Sequence, residues 1–206
     1  MKKQTEFINY AEKFAWDNKI LIILGGSFSK GTATEFSDID IYINTDNPSV
    51  VYNFIYGYGQ PIYISQTVNP KGILIVIYEN GVALDLEIVK CDIQSEKLFL
   101  LKNSNMKMDI NEDIAETFVL SQDKMYSVAR LFHRSIIKYL SGKEETGISV
   151  LKEISEIINT VYEENKNYIF NYDTVLKDFE KISLLPQEYK NLLESLKNAL
   201  IVKYTD

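Results

Sequence analysis

Leu24-Gly25-Gly26-Ser27-Phe28-Ser29-Lys30-Gly31-Thr32-Ala33-Thr34-Glu35-Phe36-Ser37-Asp38-Ile39-Asp40-Ile41 is the stretch on which the fold turns. It grows out of a short β-branched run, Ile20 to Leu24, that reads as a buried strand ending at two glycines. A polar loop follows. Then Asp38-Ile39-Asp40-Ile41-Tyr42-Ile43 alternates polar and apolar, a period-two strand with its acids on one face. Two look-alikes are excluded by residue order. A phosphate-binding loop needs Gly-Lys-Ser/Thr, and here the order is Lys30-Gly31-Thr32 with an acidic strand after it. The G-x-G-x-x-G dinucleotide fingerprint is also absent.

The remaining pattern has a specific chemistry. Glycine lets a backbone approach a ligand closely, and the N–H groups of such a turn, with the Ser27 hydroxyl, suit phosphate oxygens. Asp38 and Asp40, at i and i+2, stand roughly 6–7 Å apart on one strand face. That separation suits carboxylates that share or bracket a pair of Mg²⁺ ions about 4 Å apart. A third acid, Asp85, lies in the otherwise apolar strand Val82-Ala83-Leu84-Asp85-Leu86-Glu87-Ile88-Val89. Beside Asp38 and Asp40 it completes a three-carboxylate cage, and Glu87, on the same face, is its rival. The plainer alternative is an edge strand carrying charge against aggregation. The repeat of the device on a second apolar strand argues against it.

Gly26-Ser27, a spacer, Asp38-Ile39-Asp40-Ile41 and a later strand acid together resemble the nucleotidyltransferase superfamily of the DNA polymerase beta type. The resemblance implies an α+β chain: a mixed β-sheet core with flanking helices, followed by a C-terminal helical bundle. It implies that Gly26 and Ser27 meet the phosphates of a nucleoside triphosphate (NTP), and that Asp38, Asp40 and Asp85 hold Mg²⁺. Asp85 is the alternative general base. Size and element order are most similar to small bacterial adenylyltransferases that modify aminoglycosides, which implies ATP as donor.

The composition agrees. The 206 residues are 46% hydrophobic and 12% aromatic, enough for a core and too rich for disorder. Twenty-two Lys and Arg stand against 29 Asp and Glu, a net charge of -7. That is the wrong sign for gripping long nucleic acid, where phosphate contacts dominate affinity, and the right sign for attracting a cationic small molecule. One cysteine, Cys91, and one histidine, His133, leave no disulfide and no Cys/His zinc site. Any metal must sit on carboxylates, which favours a hard cation. Neither a signal peptide nor a membrane span is legible, so a cytoplasmic protein is expected, monomer or homodimer.

Further elements read outward from the central stretch. Phe7, Ala11 and Phe14 predict a helix over about 3–17. Pro48 opens a short helix to about Tyr56. Strands are expected at 62–64, 73–78 and 82–89, with Asn80-Gly81 as a two-residue hairpin. From about Gln94 the spacing reads as helical, which divides the chain into a catalytic domain, 1–92, and a helical substrate-binding domain, 93–206. In the latter Arg130, Arg134 and Lys138 share a helix face, a pattern that suits a phosphate clamp as well as a solvated surface. Lys30, inside the glycine loop, is another phosphate candidate. The function expected is transfer of AMP from ATP to a hydroxyl of a small cationic acceptor. The alternatives are nucleotidylation (AMPylation) of a protein partner, as in toxin–antitoxin systems, and a non-catalytic nucleotide-binding module.

Overall fold

The computed structural model describes residues 1–68, 70–93, 96–103, 105–118 and 123–205. Helix α1 (Lys2–Asn18) carries Phe7, Ala11 and Ala15 at helical spacing and buries all three. The β-branched run that follows becomes strand β1 (Ile22–Leu24), and the chain then turns through one short helix, α2 (Gly26–Ser29), where a loop was expected. Strand β2 (Ile39–Asn44) runs antiparallel to β1. Helix α3 (Pro48–Tyr58) starts with proline at its first turn, and the Asn47 side chain caps it, accepting from the Ser49 N–H at 2.9 Å. Asn47→Ala should lower unfolding stability by about 1 kcal/mol in a urea titration, the usual worth of such a cap.

Three long strands complete the body of the sheet: β3 (Pro61–Val68), β4 (Lys71–Tyr78) and β5 (Ala83–Lys90). The β4–β5 turn is a hairpin, but longer than the two residues expected. The Tyr78 N–H donates to Val82 O, and the Gly81 N–H to Tyr78 O. Gly81 alone takes a positive φ, 78°, and the Asn80 carboxamide accepts from the Val82 N–H. A two-residue type I′ turn needs positive φ at both central positions; one left-handed glycine closes the longer loop instead.

The sheet does not stop at residue 92. Strand β6 (Phe99–Leu101) pairs parallel to β1, and β7 (Asp109–Ile110) pairs antiparallel to the end of β5. The path is β3-β4-β5-β2-β1-β6, with β7 off it. Helix α4 (Glu112–Glu116) follows, and the first compact unit spans Met1–Leu120. The expected boundary at 92 therefore falls inside the sheet. A three-residue strand shows no period of its own, and the partner that specifies β6 is β1, some 75 residues earlier.

The two faces of this sheet differ. On one, Ile22, Leu24, Ile39, Ile41, Ile43, Leu74, Val76, Leu84, Leu86 and Ile88 pack with Phe7 of α1, Phe54 of α3 and Ala115 of α4. The side chains between them on β2 and β5, Asp40, Tyr42, Asp85 and Glu87, point to the other face. There a smaller cluster, Leu21, Ile23, Tyr42 and Val89, is joined by Leu100, Met106 and Met108. Period-two alternation thus sends the apolar residues under the helices and the acids to the opposite side.

The second unit, Ser121–Asp206, is helical: α5 (Lys124–Leu140), α6 (Glu144–Ile157), α7 (Tyr168–Phe179) and α8 (Gln187–Thr205). Phe132, Tyr172 and Phe179 meet edge to face in its interior. Among the described residues no helix is long and apolar enough to cross a membrane.

Candidate active site

Asp40 and Asp85 are register partners on β2 and β5, which run parallel. Residues directly opposite on neighbouring strands have Cβ atoms about 4.5–5.5 Å apart and share a face. The next partners on that face are Tyr42 and Glu87. Asp38 lies one residue ahead of β2 and is half-buried, as are Asp40, Asp85 and Glu87. At the far end the strands are tied by Asn44, whose carboxamide exchanges hydrogen bonds of 3.2 and 3.3 Å with the Cys91 backbone.

The glycine turn leaves β1 beside these acids. The Gly25 N–H donates to Asp40 O at 2.8 Å. Gly26 has φ +56, and a Cβ there would stand 1.6 Å from Asp40 Oδ2. Only a residue without a side chain fits beside that carboxylate, in a backbone conformation glycine adopts without strain. The turn is closed by Ser29 N–H to Gly25 O at 3.0 Å and Thr32 N–H to Ser27 O at 2.9 Å. Ser27 is half-buried and Lys30 exposed. A hydrogen bond from the Thr34 N–H to Ser37 Oγ, 2.9 Å, orders the approach to Asp38.

The electrostatics follow from the crowding of acids. Burial pushes the Glu87 carboxyl above the usual carboxylate range, and the Asp40 charge adds to this. The Tyr42 hydroxyl, which hydrogen-bonds Glu87, and the Lys102 ammonium pull the other way. Burial likewise pushes the Tyr42 hydroxyl up, reinforced by Glu87, Asp40 and Asp85. Lys102 Nζ stands 3.8 Å from the centroid of the Tyr42 ring.

Among the described residues no three acid, Cys or His side chains are gathered as a ready-made metal cage. Of the three carboxylates from which the sequence reading expected a cage, Asp40 and Asp85 are opposed across β2 and β5, and Asp38 is adjacent along the chain. That still fits Mg²⁺, which is commonly held by one or two carboxylates together with substrate phosphates rather than by an all-protein cage. The oxygen-only donors agree with such an ion.

Arg130 and Arg134 lie on α5 of the second unit, Arg130 half-buried and Arg134 exposed, with His133 buried between them. Two residues escaped the sequence reading. Tyr42 was legible in principle, since it follows Asp40 at i+2 on the same strand face. Lys102 was not, because its place depends on β6 joining β1.

Residues 8–103 match the family model described as a nucleotidyltransferase domain. The match runs from within α1 to just past Lys102, and it holds the glycine turn and both acid-bearing strands. No curated protein matches the chain. The mixed sheet with the glycine turn beside acid-bearing strands, and the match across that same region, agree: residues 8–103 are similar to a nucleotidyltransferase domain, the kind of domain that supports nucleotidyl transfer.

Proposed function

We propose that the protein transfers AMP from ATP to a hydroxyl of a small cationic acceptor of the aminoglycoside type, releasing pyrophosphate. The observation that carries this reading is the opposition of Asp40 and Asp85 on parallel strands beside the Gly26 turn. Asp40 and Asp85, with Asp38, would hold Mg²⁺, which when bound polarises the α-phosphate and neutralises the departing pyrophosphate. The chain's own groups do the rest. The Gly26-Ser27 turn and the Ser27 hydroxyl hold phosphate oxygens. Asp85 either holds the metal or takes the proton of the attacking hydroxyl as the new oxygen–phosphorus bond forms and the bond to pyrophosphate breaks. Lys30 is a further phosphate contact, and acceptor recognition is assigned to the helical unit. The acids on the site face favour a cationic acceptor over a polyanion. The enzyme is placed in the cytoplasm, as a monomer or homodimer.

The test has two arms. Mg²⁺-dependent ATP binding should be measurable in the parent chain and lost in Asp40→Asn. Pyrophosphate release should then be screened against aminoglycosides and other hydroxylated amines, with ATP and GTP compared. Turnover with one of them is the expected result. Labelling of a co-purified protein, without small-molecule turnover, would move the reading to protein nucleotidylation. Binding without transfer to anything would leave a nucleotide-binding module.

A further inference from the structure

Lys102 belongs to none of the motifs in the sequence, yet the fold brings it to the acids. Its backbone N–H donates to Leu24 O at 2.8 Å, so it leaves β6 beside the point where Gly25-Gly26-Ser27 leaves β1. Its side chain is half-buried and lies over Tyr42, with Nζ 3.8 Å from the ring centroid. Tyr42 in turn lies against the turn: a Cβ on Gly25 would stand 2.7 Å from Tyr42 Cε2 and 3.3 Å from Asp40 Cβ. Lys102, Tyr42, Gly25 and Asp40 are thus contiguous. The ammonium sits at the seam between the glycine turn and the acid-bearing face.

We propose that Lys102 is a nucleotide-positioning residue, its ammonium contacting the triphosphate of an NTP held at Asp40 and Asp85. The proposal rests on the nucleotidyltransferase reading of that site. Asp40, Asp85 and Glu87 all face the place where a triphosphate would have to sit, so a nearby cation is needed to offset their repulsion. Lys102 supplies it from a ledge formed by the Tyr42 ring, whose face attracts an ammonium. Lysine suits the task as a compact charge with several donors on a long stem. Lys30, the lysine that the sequence offered, is exposed, and it would surrender more side-chain freedom to bind. The competing role for Lys102 is structural, holding Tyr42 and Glu87 in place.

The two roles separate in a binding titration on the full chain with Mg²⁺ present. The probes are whichever of ATP, GTP, CTP and UTP binds most tightly, and the monophosphate of the same base read by competition. Lys102→Met should weaken triphosphate binding by about tenfold or more, as loss of a charged phosphate contact does, and leave monophosphate binding within about twofold. Lys102→Arg should retain triphosphate affinity within about threefold, because the charge persists. Equal losses for both nucleotides, or no loss for the triphosphate, would overturn the proposal. If Lys102→Met fails to fold by circular dichroism, Lys102→Gln is read by the same pair of titrations. A folded parent chain that binds no NTP overturns the proposal together with the reading it rests on. A parent that binds, an Asp40→Asn that does not, and a Lys102→Met that binds as the parent does would overturn the Lys102 assignment alone.

Discussion

Asp40→Asn is expected to lower nucleotidyl transfer by at least about 10³-fold, roughly 4 kcal/mol of transition-state stabilisation, while leaving unfolding stability within about 1 kcal/mol of the parent. The two halves of the prediction come from one piece of geometry. Asp40 faces Asp85 across parallel strands, so the two acids share one face in direct register. A pair of like charges directly opposite in a sheet works against folding. It persists where a cation or substrate uses it, and a neutral isostere removes the function without removing a structural asset. Asp85→Asn should behave in the same way. Glu87→Gln separates the two rival acids: Glu87 opposes Tyr42 rather than Asp40, and it is already engaged by the Tyr42 hydroxyl and the Lys102 charge. Its substitution should cost less than a tenth of the effect on rate seen for Asp85→Asn. Rates come from pyrophosphate release and stabilities from urea titration. An Asp40→Asn variant that transfers at the parental rate, or a Glu87→Gln variant as impaired as Asp85→Asn, would remove Asp40 and Asp85 from the centre of the site.

What the sequence disclosed, and what it withheld, divides along a physical line. Features specified by neighbours in the chain were readable. The i, i+2 acids sit on β2 because alternation sets the face, α3 begins at Pro48, and α8 begins just after Pro186. Ser141-Gly142 and Asn165 to Asn167, small and polar, fall between helices. Features specified by distant partners were not readable. β6 exists because Phe99, Leu100 and Leu101 find Ile22, Ile23 and Leu24. Lys102 inherits its position from that pairing, and so does its contact with Tyr42. The opposition of Asp40 to Asp85 depends on β2 and β5 being adjacent and parallel, which the sequence allowed but did not require. The hairpin shows the same limit at short range: Asn80-Gly81 marked the turn, while the loop length was set by how Tyr78 and Val82 close the ladder.

Gly26→Ala is the sharpest test of how the turn serves the acids, because its effect on activity should far exceed its effect on stability. A Cβ at position 26 would stand 1.6 Å from Asp40 Oδ2 and 2.4 Å from Asp40 Cγ, which no structure tolerates. The atoms in the way are the end of a short side chain, so the Asp40 carboxylate can rotate aside at small cost to folding. The left-handed backbone, φ +56, adds about 1–2 kcal/mol for any residue with a Cβ. Stability should therefore fall by about that amount and little more. Activity should fall by at least about 10²-fold, the usual result of displacing a reacting group by an ångström. The mechanism makes a second demand. If Gly26→Ala acts by moving the Asp40 carboxylate, it has little left to damage once that carboxylate is gone. The double variant Gly26→Ala with Asp40→Asn should then be about as impaired as Asp40→Asn alone, a non-additivity expected of residues in contact. Multiplicative losses in the double variant would show instead that the turn holds phosphate independently of Asp40. An active Gly26→Ala chain would mean that the carboxylate's position against the glycine is incidental to catalysis.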